Sequence, residues 1–281
     1  MSKGVLTFAS NNSEFDYLLQ AQHLAERATI HLNLPTTVVT DKASVASTAA
    51  NMKVFDNIVY TDESNFGNSN QRDVNDGDYG VKTIHWKNEA RPIVYDVTPY
   101  HETLLLDTDV VICNGDWKIC FEQPQDFRIY KDCINLSENF WPYQYEKISE
   151  IGPTFYWATA VFFRKTDTNK VFFNLLQHIK DEWLHYCNVY LLPSKKYRSD
   201  YAFSIAIHIM NGHCSGDFQT EMPGQLYYIT DKGILKELKN DNMLLLINDP
   251  TYPRKFTACK TKRMNVHVMN KFSLERCLCE E

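Results

Sequence analysis

The first forty residues leave this chain few folds to choose from. "GVLTFA" (4–9) is a short apolar run of strand formers, broken at once by "NNSEFD". Leu18, Ala21, Ala25, Ala28 and Leu32 then recur at helical period, and "TTVVT" (36–40) reads as a second strand ended by Asp41. "FDNIVY" (55–60) reads as a third. Strand, helix, strand at this spacing predicts a right-handed βαβ unit and a parallel sheet. Ser13 and Asp16 stand at capping-box spacing ahead of the helix.

Beyond this unit, "DESNFGNSNQRDVNDGDYG" (62–80) is too polar to bury much and predicts a surface loop. A short helix is expected at 89–98, with Pro92 in its first turn. "FYWATAVFF" (155–163) reads as a central strand. Asp167 is placed to cap a long helix with Phe172, Leu175, Leu176, Ile179, Trp183 and Tyr186 on one face, and Ser199 to cap another. With no internal repeat and no Pro/Gly linker, residues 1–281 read as a single α/β domain. Its mostly parallel central sheet is flanked by helices, with a first half over 1–113 and an elaborated second half over 114–281.

Composition excludes several classes. At 44% hydrophobic and 23% charged residues the chain is ordinary globular material. A net charge of −6 argues against a general polyanion binder, though acidity of the whole leaves room for a local basic patch. No apolar run is long enough for a membrane span or a secretory signal, so a cytoplasmic protein without a membrane partner is expected. The eight cysteines form no C-x-x-C pair and are expected to be reduced and mostly buried.

The chemistry concentrates in "TLLLDTDVV". Ligands of open α/β sheets sit at the carboxyl ends of parallel strands, where Asp107 falls. Asp107 and Asp109 share a face if the strand continues and converge if it turns. Two close carboxylates repel each other in a dry site, and a divalent cation relieves that; oxygen ligands suit Mg²⁺ or Mn²⁺ carrying phosphate. An acidic pair that merely ends a strand in a turn is the bland alternative. Two enzyme classes use such a pair. In nucleotide-sugar glycosyltransferases D-x-D holds the metal, and in haloacid-dehalogenase-type phosphatases D-x-D-x-[TV] supplies a nucleophile and an acid/base. "DTDVV" fits both, but it follows three expected strands instead of ending the first, and "GDFQTE" (216–221) is a poor match for a later phosphatase motif.

The layout resembles a GT-A glycosyltransferase of the glycogenin-like retaining group. The carrying segments are "LTFASNNSEFDYLLQAQHLA", "RPIVYDVTPYHETLLLDTD", "YWATAVFF", "RSDYAFSIA" and "VHVMNKF". The resemblance implies a nucleotide sugar, UDP-linked, held by Thr7, Phe8, Ala9, Asn11, Tyr17, Lys87, Arg91, Asp107, Thr108, Thr159 and Lys271. It implies a metal, Mn²⁺ or Mg²⁺, on Asp107, Asp109 and His267, and catalytic roles for Asp109 and for Asp200 at the sugar. An imidazole beside two carboxylates favours Mn²⁺. The opening and "HVMNK" resemble enzymes of large tailed phages, some of which glycosylate hydroxymethylcytosine in DNA. The resemblance thus implies such DNA as acceptor and the host cytoplasm as location, with a glycan or protein acceptor as the alternative. The segments 251–271, with six Lys or Arg and no acid, and 194–199, with three, are candidate seats for a diphosphate or a polyanionic acceptor, or solvated faces. "FWPYQY" (140–145) could stack a base or a sugar ring. A nucleotide-binding module without turnover is the non-enzymatic reading. Removal of the Asp109 carboxylate is expected to cost little stability, since like charge is relieved.

Overall fold

The computed structural model describes residues 2–67, 69–75, 81–87, 89–136, 146–249 and 255–280. Strand β1 (Lys3–Phe8), helix α1 (Tyr17–Leu32), β2 (Thr36–Thr40), α2 (Lys42–Ser47) and β3 (Asn57–Tyr60) follow one another, then β4 (Asn70–Asn75) and β5 (Val81–Trp86). A 3₁₀ turn, Arg91–Ile93, leads into α3 (Val94–Val97), β6 (Glu102–Leu106) and β7 (Val110–Val111). Next come β8 (Phe127–Tyr130), β9 (Ile134–Asn135), β10 (Trp157–Arg164), α4 (Asp167–Asp181), α5 (Trp183–Val189) and α6 (Ser199–Met210). The chain ends with β11 (Leu226–Ile229), β12 (Ile234–Lys239), β13 (Asn242–Asn248), β14 (Phe256–Lys262), β15 (Asn265–Val268) and α7 (Lys271–Glu280).

The expected α/β architecture is present. The central sheet has the order β3-β2-β1-β6-β10-β8. Its first four strands are mutually parallel, and β10 lies antiparallel between β6 and β8. Strands buried on both faces read as unbroken apolar runs. Val5 and Leu6 of β1 sit beside Leu104 and Leu105 of β6, and Ala158 to Phe163 of β10 are all buried. The periodic residues of α1 — Leu18, Ala21, Ala25, Ala28 and Leu32 — are buried as their spacing requires. A second sheet, β7-β15-β11-β9, and an antiparallel trio, β12-β13-β14, complete the second half. Among the described residues no helix is long and apolar enough to cross a membrane.

Several local expectations are corrected. The cap of α1 is Asp16, whose carboxylate accepts from Leu19 N and also binds Thr48 and Ala49; Ser13 lies outside the helix. The cap of α4 is Thr166 and not Asp167, and Ser199 is the first residue of α6 and not its cap. The long helix breaks at Glu182, so Trp183 and Tyr186 belong to α5. Segment 62–80 is not all loop. Glu63–Phe66 is a 3₁₀ turn that buries Phe66, and β4 pairs antiparallel with β5. Cross-strand hydrogen bonding satisfies a polar sequence that has little to bury, as Thr83 Oγ1 donating to Asp73 (2.7 Å) shows. Of the eight free cysteines four are buried, while Cys214 and Cys279 are exposed. The aromatic segment 140–145 lies outside the described residues.

Candidate metal and phosphate site

Strand β6 stops at Leu106, and the chain turns instead of continuing. Asp107 N donates to Thr159 O of β10 (3.0 Å), and Val110 N closes back on Asp107 O (3.3 Å). The turn delivers the chain into β7, which pairs antiparallel with β15 so that His267 lies opposite Val110. Val268 N donates to Asp109 O (2.9 Å). Asn265 fixes this register: its Oδ1 accepts from Cys113 N (2.8 Å) and Asn114 N (3.1 Å), and its Nδ2 donates to Asn114 Oδ1 (2.8 Å). A residue 158 positions downstream is thereby set against the acidic turn, and ligand atoms of Asp107, Asp109 and His267 lie within 4.8 Å of one another.

The electrostatics are tightly arranged. Asp109 is 4% exposed and His267 9%. His267 Nε2 is 3.2 Å from Asp109 Oδ1, and Lys271, from the first turn of α7, pairs with Asp109 Oδ2. Burial opposes ionisation of Asp109, but the Lys271 ammonium and the His267 ring hold its carboxyl well below the usual carboxylate range. Thr159 Oγ1 is 3.4 Å from His267 Nδ1, which orients the ring with Nε2 toward Asp109. Asp107 remains partly open and pairs with the buried Arg91 of the 3₁₀ turn. Burial works against the Arg91 charge, yet Asp107 and Asp200 outweigh it and raise its pKa above the ordinary value. The Nη1 atom of Arg91 is buried with no hydrogen-bond partner among the described residues.

The structure therefore gathers Asp107, Asp109, His267, Lys271, Thr159 and Arg91. Asp200 stands in the first turn of α6 close enough to act on Arg91; its Oδ1 accepts from Ala158 N (2.9 Å) and its Oδ2 faces Arg198 (3.2 Å). Thr7 and Ala9 are buried at the carboxyl end of β1, and Phe8 packs edge-on against Phe66. Tyr17 lies under the Lys271 ammonium (5.4 Å) and donates to His85 O (3.3 Å). Three side chains expected at the ligand are committed elsewhere. Asn11 organises the start of α1, donating to Asp16 (2.8 Å) and accepting from Leu18 N (3.0 Å). Thr108 donates to Gln20 Oε1 (3.4 Å) on α1. Lys87 pairs with Glu63 (2.6 Å). Sequence reasoning missed Asn265 and Arg27. The Arg27 guanidinium is buried, donates to Ile112 O (2.8 Å) and pairs with Asp241, tying α1 to the acidic turn's exit. A long cation among the buried Leu24, Ala25 and Ala28 of α1 was the signal for Arg27.

Two carboxylates and one imidazole at this spacing fit a divalent cation with open positions for phosphate oxygens.

No protein-family model matches the chain, and no curated protein matches it. Solved structures do. The galactosyltransferase LgtC, in complex with donor and acceptor sugar analogs, aligns over 82% of this chain and 74% of its own at 14% identity and a TM-score of 0.44. Mouse xyloside xylosyltransferase 1, in its apo form, aligns over 85% and 88% at 10% identity and 0.44. The glycosyltransferase GlyE of Streptococcus pneumoniae TIGR4 aligns over 78% of this chain and 45% of its own, at 10% identity and 0.44. These likenesses are distant, and the chemistry of the site stands on its own geometry.

Proposed function

We propose that the protein is a metal-dependent glycosyltransferase of GT-A type that moves a sugar from a nucleoside diphosphate sugar to a hydroxyl acceptor. The observation that carries this reading is the Asp107–Asp109–His267 cluster, flanked by the buried cations Arg91 and Lys271, at the carboxyl end of a parallel sheet. The three residues would hold Mn²⁺ or Mg²⁺, which when bound neutralises a diphosphate leaving group. Lys271 and Arg91, whose Nη1 has no partner among the described residues, would supply further positive charge to phosphate oxygens, and being fixed in place they would need little reorganisation as charge develops. Thr159 keeps the His267 ring in register. Asp200, held by Ala158 N beside Arg91, would orient the sugar. Segment 62–67 and the β4–β5 pair would cover the nucleoside and limit hydrolysis.

UDP as the nucleotide and Mn²⁺ as the ion are parts of this proposal, the latter because an imidazole joins the donor set. The acceptor is proposed as a hydroxyl of modified DNA, with a glycan or protein second; the phage and hydroxymethylcytosine parts come from the sequence resemblance, and the proposed cytoplasmic location from the lack of a membrane-length or secretory apolar run in the sequence. The phosphatase reading loses ground, because Asp107 is engaged by Arg91 and Glu221 accepts from Lys131 N (3.0 Å), outside the acidic cluster.

The test is a thermal-shift screen of nucleotide sugars with and without Mn²⁺, followed by donor hydrolysis. A ligand at 100 times its Kd adds about 2.7 kcal/mol to folded-state stability. Metal-dependent stabilisation by a nucleotide sugar, with slow nucleotide release, is expected. Turnover of p-nitrophenyl phosphate, lost in Asp107→Asn, would sink the transferase reading. Binding without nucleotide release would point to the non-enzymatic module.

A further inference from the structure

The antiparallel trio β12-β13-β14 has one face packed and one face free. Leu235, Leu238, Met243, Leu245 and Ile247 point into a core shared with Val266 and Val268 of β15 and Leu274 of α7. The alternate residues therefore point outward. The register puts Lys239, Asn242 and Lys262 in one row, and Glu237, Leu244 and Lys260 in the next. Lys236 occupies the irregularity between Leu235 and Glu237, and Arg263 follows β14 directly. Lys236, Lys239, Lys260, Lys262 and Arg263 are all exposed. Strand spacing of ~4.8 Å and an i,i+2 repeat of ~6.8 Å put the backbone positions of both rows within a band ~10 Å wide.

Little on this face offsets the charge. Glu237 is the one carboxylate in the two rows, and it is held below its usual range by Lys239 and, more weakly, by Lys260 across the sheet. Asp241, in the turn, is taken by Arg27 and by His31 (3.0 Å) of α1. Like charges on neighbouring strands destabilise a sheet, and here they gather in a chain whose net charge is −6. Leu244, in the second of these rows, and Leu246 and Phe256, in the rows beyond it, are only half-buried. Membrane-surface binding needs large apolar side chains that insert. Among the described residues the nine that are exposed, Ile30, Ile151, Leu184 and Leu191 among them, all belong to other elements.

We infer that the outer face of the β12-β13-β14 sheet binds nucleic acid, its lysines on the phosphodiester backbone. Chain length ties this face to the proposed site: Lys262 precedes His267 by five residues, so their Cα atoms are at most ~18 Å apart. The inference deepens the proposed function by naming a surface for a polyanionic acceptor, and it rests on that reading only for the acceptor role. Backbone contacts to phosphate carry no sequence information, so binding should be general and salt-dependent.

The test is fluorescence anisotropy with a labelled 20-nucleotide single strand and its duplex, from 20 to 300 mM NaCl. The wild type is expected to bind both, with affinity falling linearly in log–log salt plots. The triple variant Lys236→Glu, Lys260→Glu, Lys262→Glu should bind at least tenfold more weakly at 50 mM. Its duplex slope should flatten by roughly 0.9 for each phosphate that is no longer neutralised. Circular dichroism checks folding, and the Lys→Gln triple, milder on the fold, should weaken binding in the same direction. Asp107→Asn should bind DNA as the wild type does, which separates this face from the donor site: absent donor hydrolysis with intact DNA binding sinks the enzyme and leaves the face. No wild-type binding at 20 mM NaCl, or equal binding by the triple variants, overturns the inference. So does stronger binding to phosphatidylglycerol-containing vesicles than to DNA, which would make the face a membrane surface.

Discussion

Asp109 shows how a single residue changes meaning between sequence and structure. As one of two neighbouring acids it promises relief of repulsion when removed. In the fold its carboxylate is the counter-charge of Lys271, itself 8% exposed, and the partner of His267. Breaking a buried pair from one side costs about 3–5 kcal/mol, because the other charge is left uncompensated. Asp109→Ala should therefore both abolish metal binding and lower stability by several kcal/mol in urea unfolding; an unchanged midpoint would contradict the pairing. The pH dependence follows from the same ion pair. The folded carboxyl is held below its unfolded value of about 3.9, so its stabilisation is full well above that pH. It is lost as pH falls from about 4 toward the folded value. The stability gap between wild type and Asp109→Asn should accordingly be constant from pH 7 to 5 and shrink at pH 3.5. At Thr159, Val substitution removes the hydroxyl that faces His267 Nδ1 and should reduce the Mn²⁺-induced rise in Tm without lowering the metal-free Tm by more than a few degrees.

At the scale of elements, what matters is how β15 and β1 are held. Asn265 satisfies two backbone N–H groups of the β7 exit, and an unsatisfied buried donor costs about 1–3 kcal/mol. Asn265→Ala should lose about 2–4 kcal/mol and, by loosening the register that sets His267 against the acidic turn, also the metal-linked thermal shift. A stability loss with an unchanged shift would show that β15 keeps its place without this side chain. In β1 the pressure is steric. A Cβ on Gly4 would stand 2.3 Å from the Tyr100 ring, whose hydroxyl accepts from Thr37 (2.8 Å). Gly4→Ala therefore forces that ring to shift and should cost about 1–3 kcal/mol, readable as a lower denaturation midpoint. Helix caps are cheaper to misread than to lose. Asp16 directly precedes α1 and its capping role is within reach of a local reading, but its bonds to Thr48 and Ala49 depend on a segment about thirty residues away.

For the molecule as a whole, hydrogen exchange should be slowest in β1, β6 and β10, where both faces are covered, and markedly faster in the two-stranded β4–β5 pair; equal protection would mean that this pair is part of the main cooperative unit. The sequence alone determined the parallel sheet, because strands buried on two faces must be rich in apolar and β-branched residues and a helix between them must show its period, and β1, α1, β2 and β6 do. It also determined that Asp107 ends a strand where such sheets hold ligands, a consequence of local chain direction. The family resemblance already grouped His267, Lys271 and Arg91 with the two aspartates; only the tertiary structure decided that Lys271 and His267 both pair with Asp109, that Arg91 answers Asp107, and that Asn11, Thr108 and Lys87 hold other partners. It alone turned scattered lysines into one sheet face, through the register of β12, β13 and β14. The reason is common to all of these: periodicity and propensity are local, whereas a pairing between residues far apart in the chain is selected by the free energy of packing the whole core, which no short window of sequence contains.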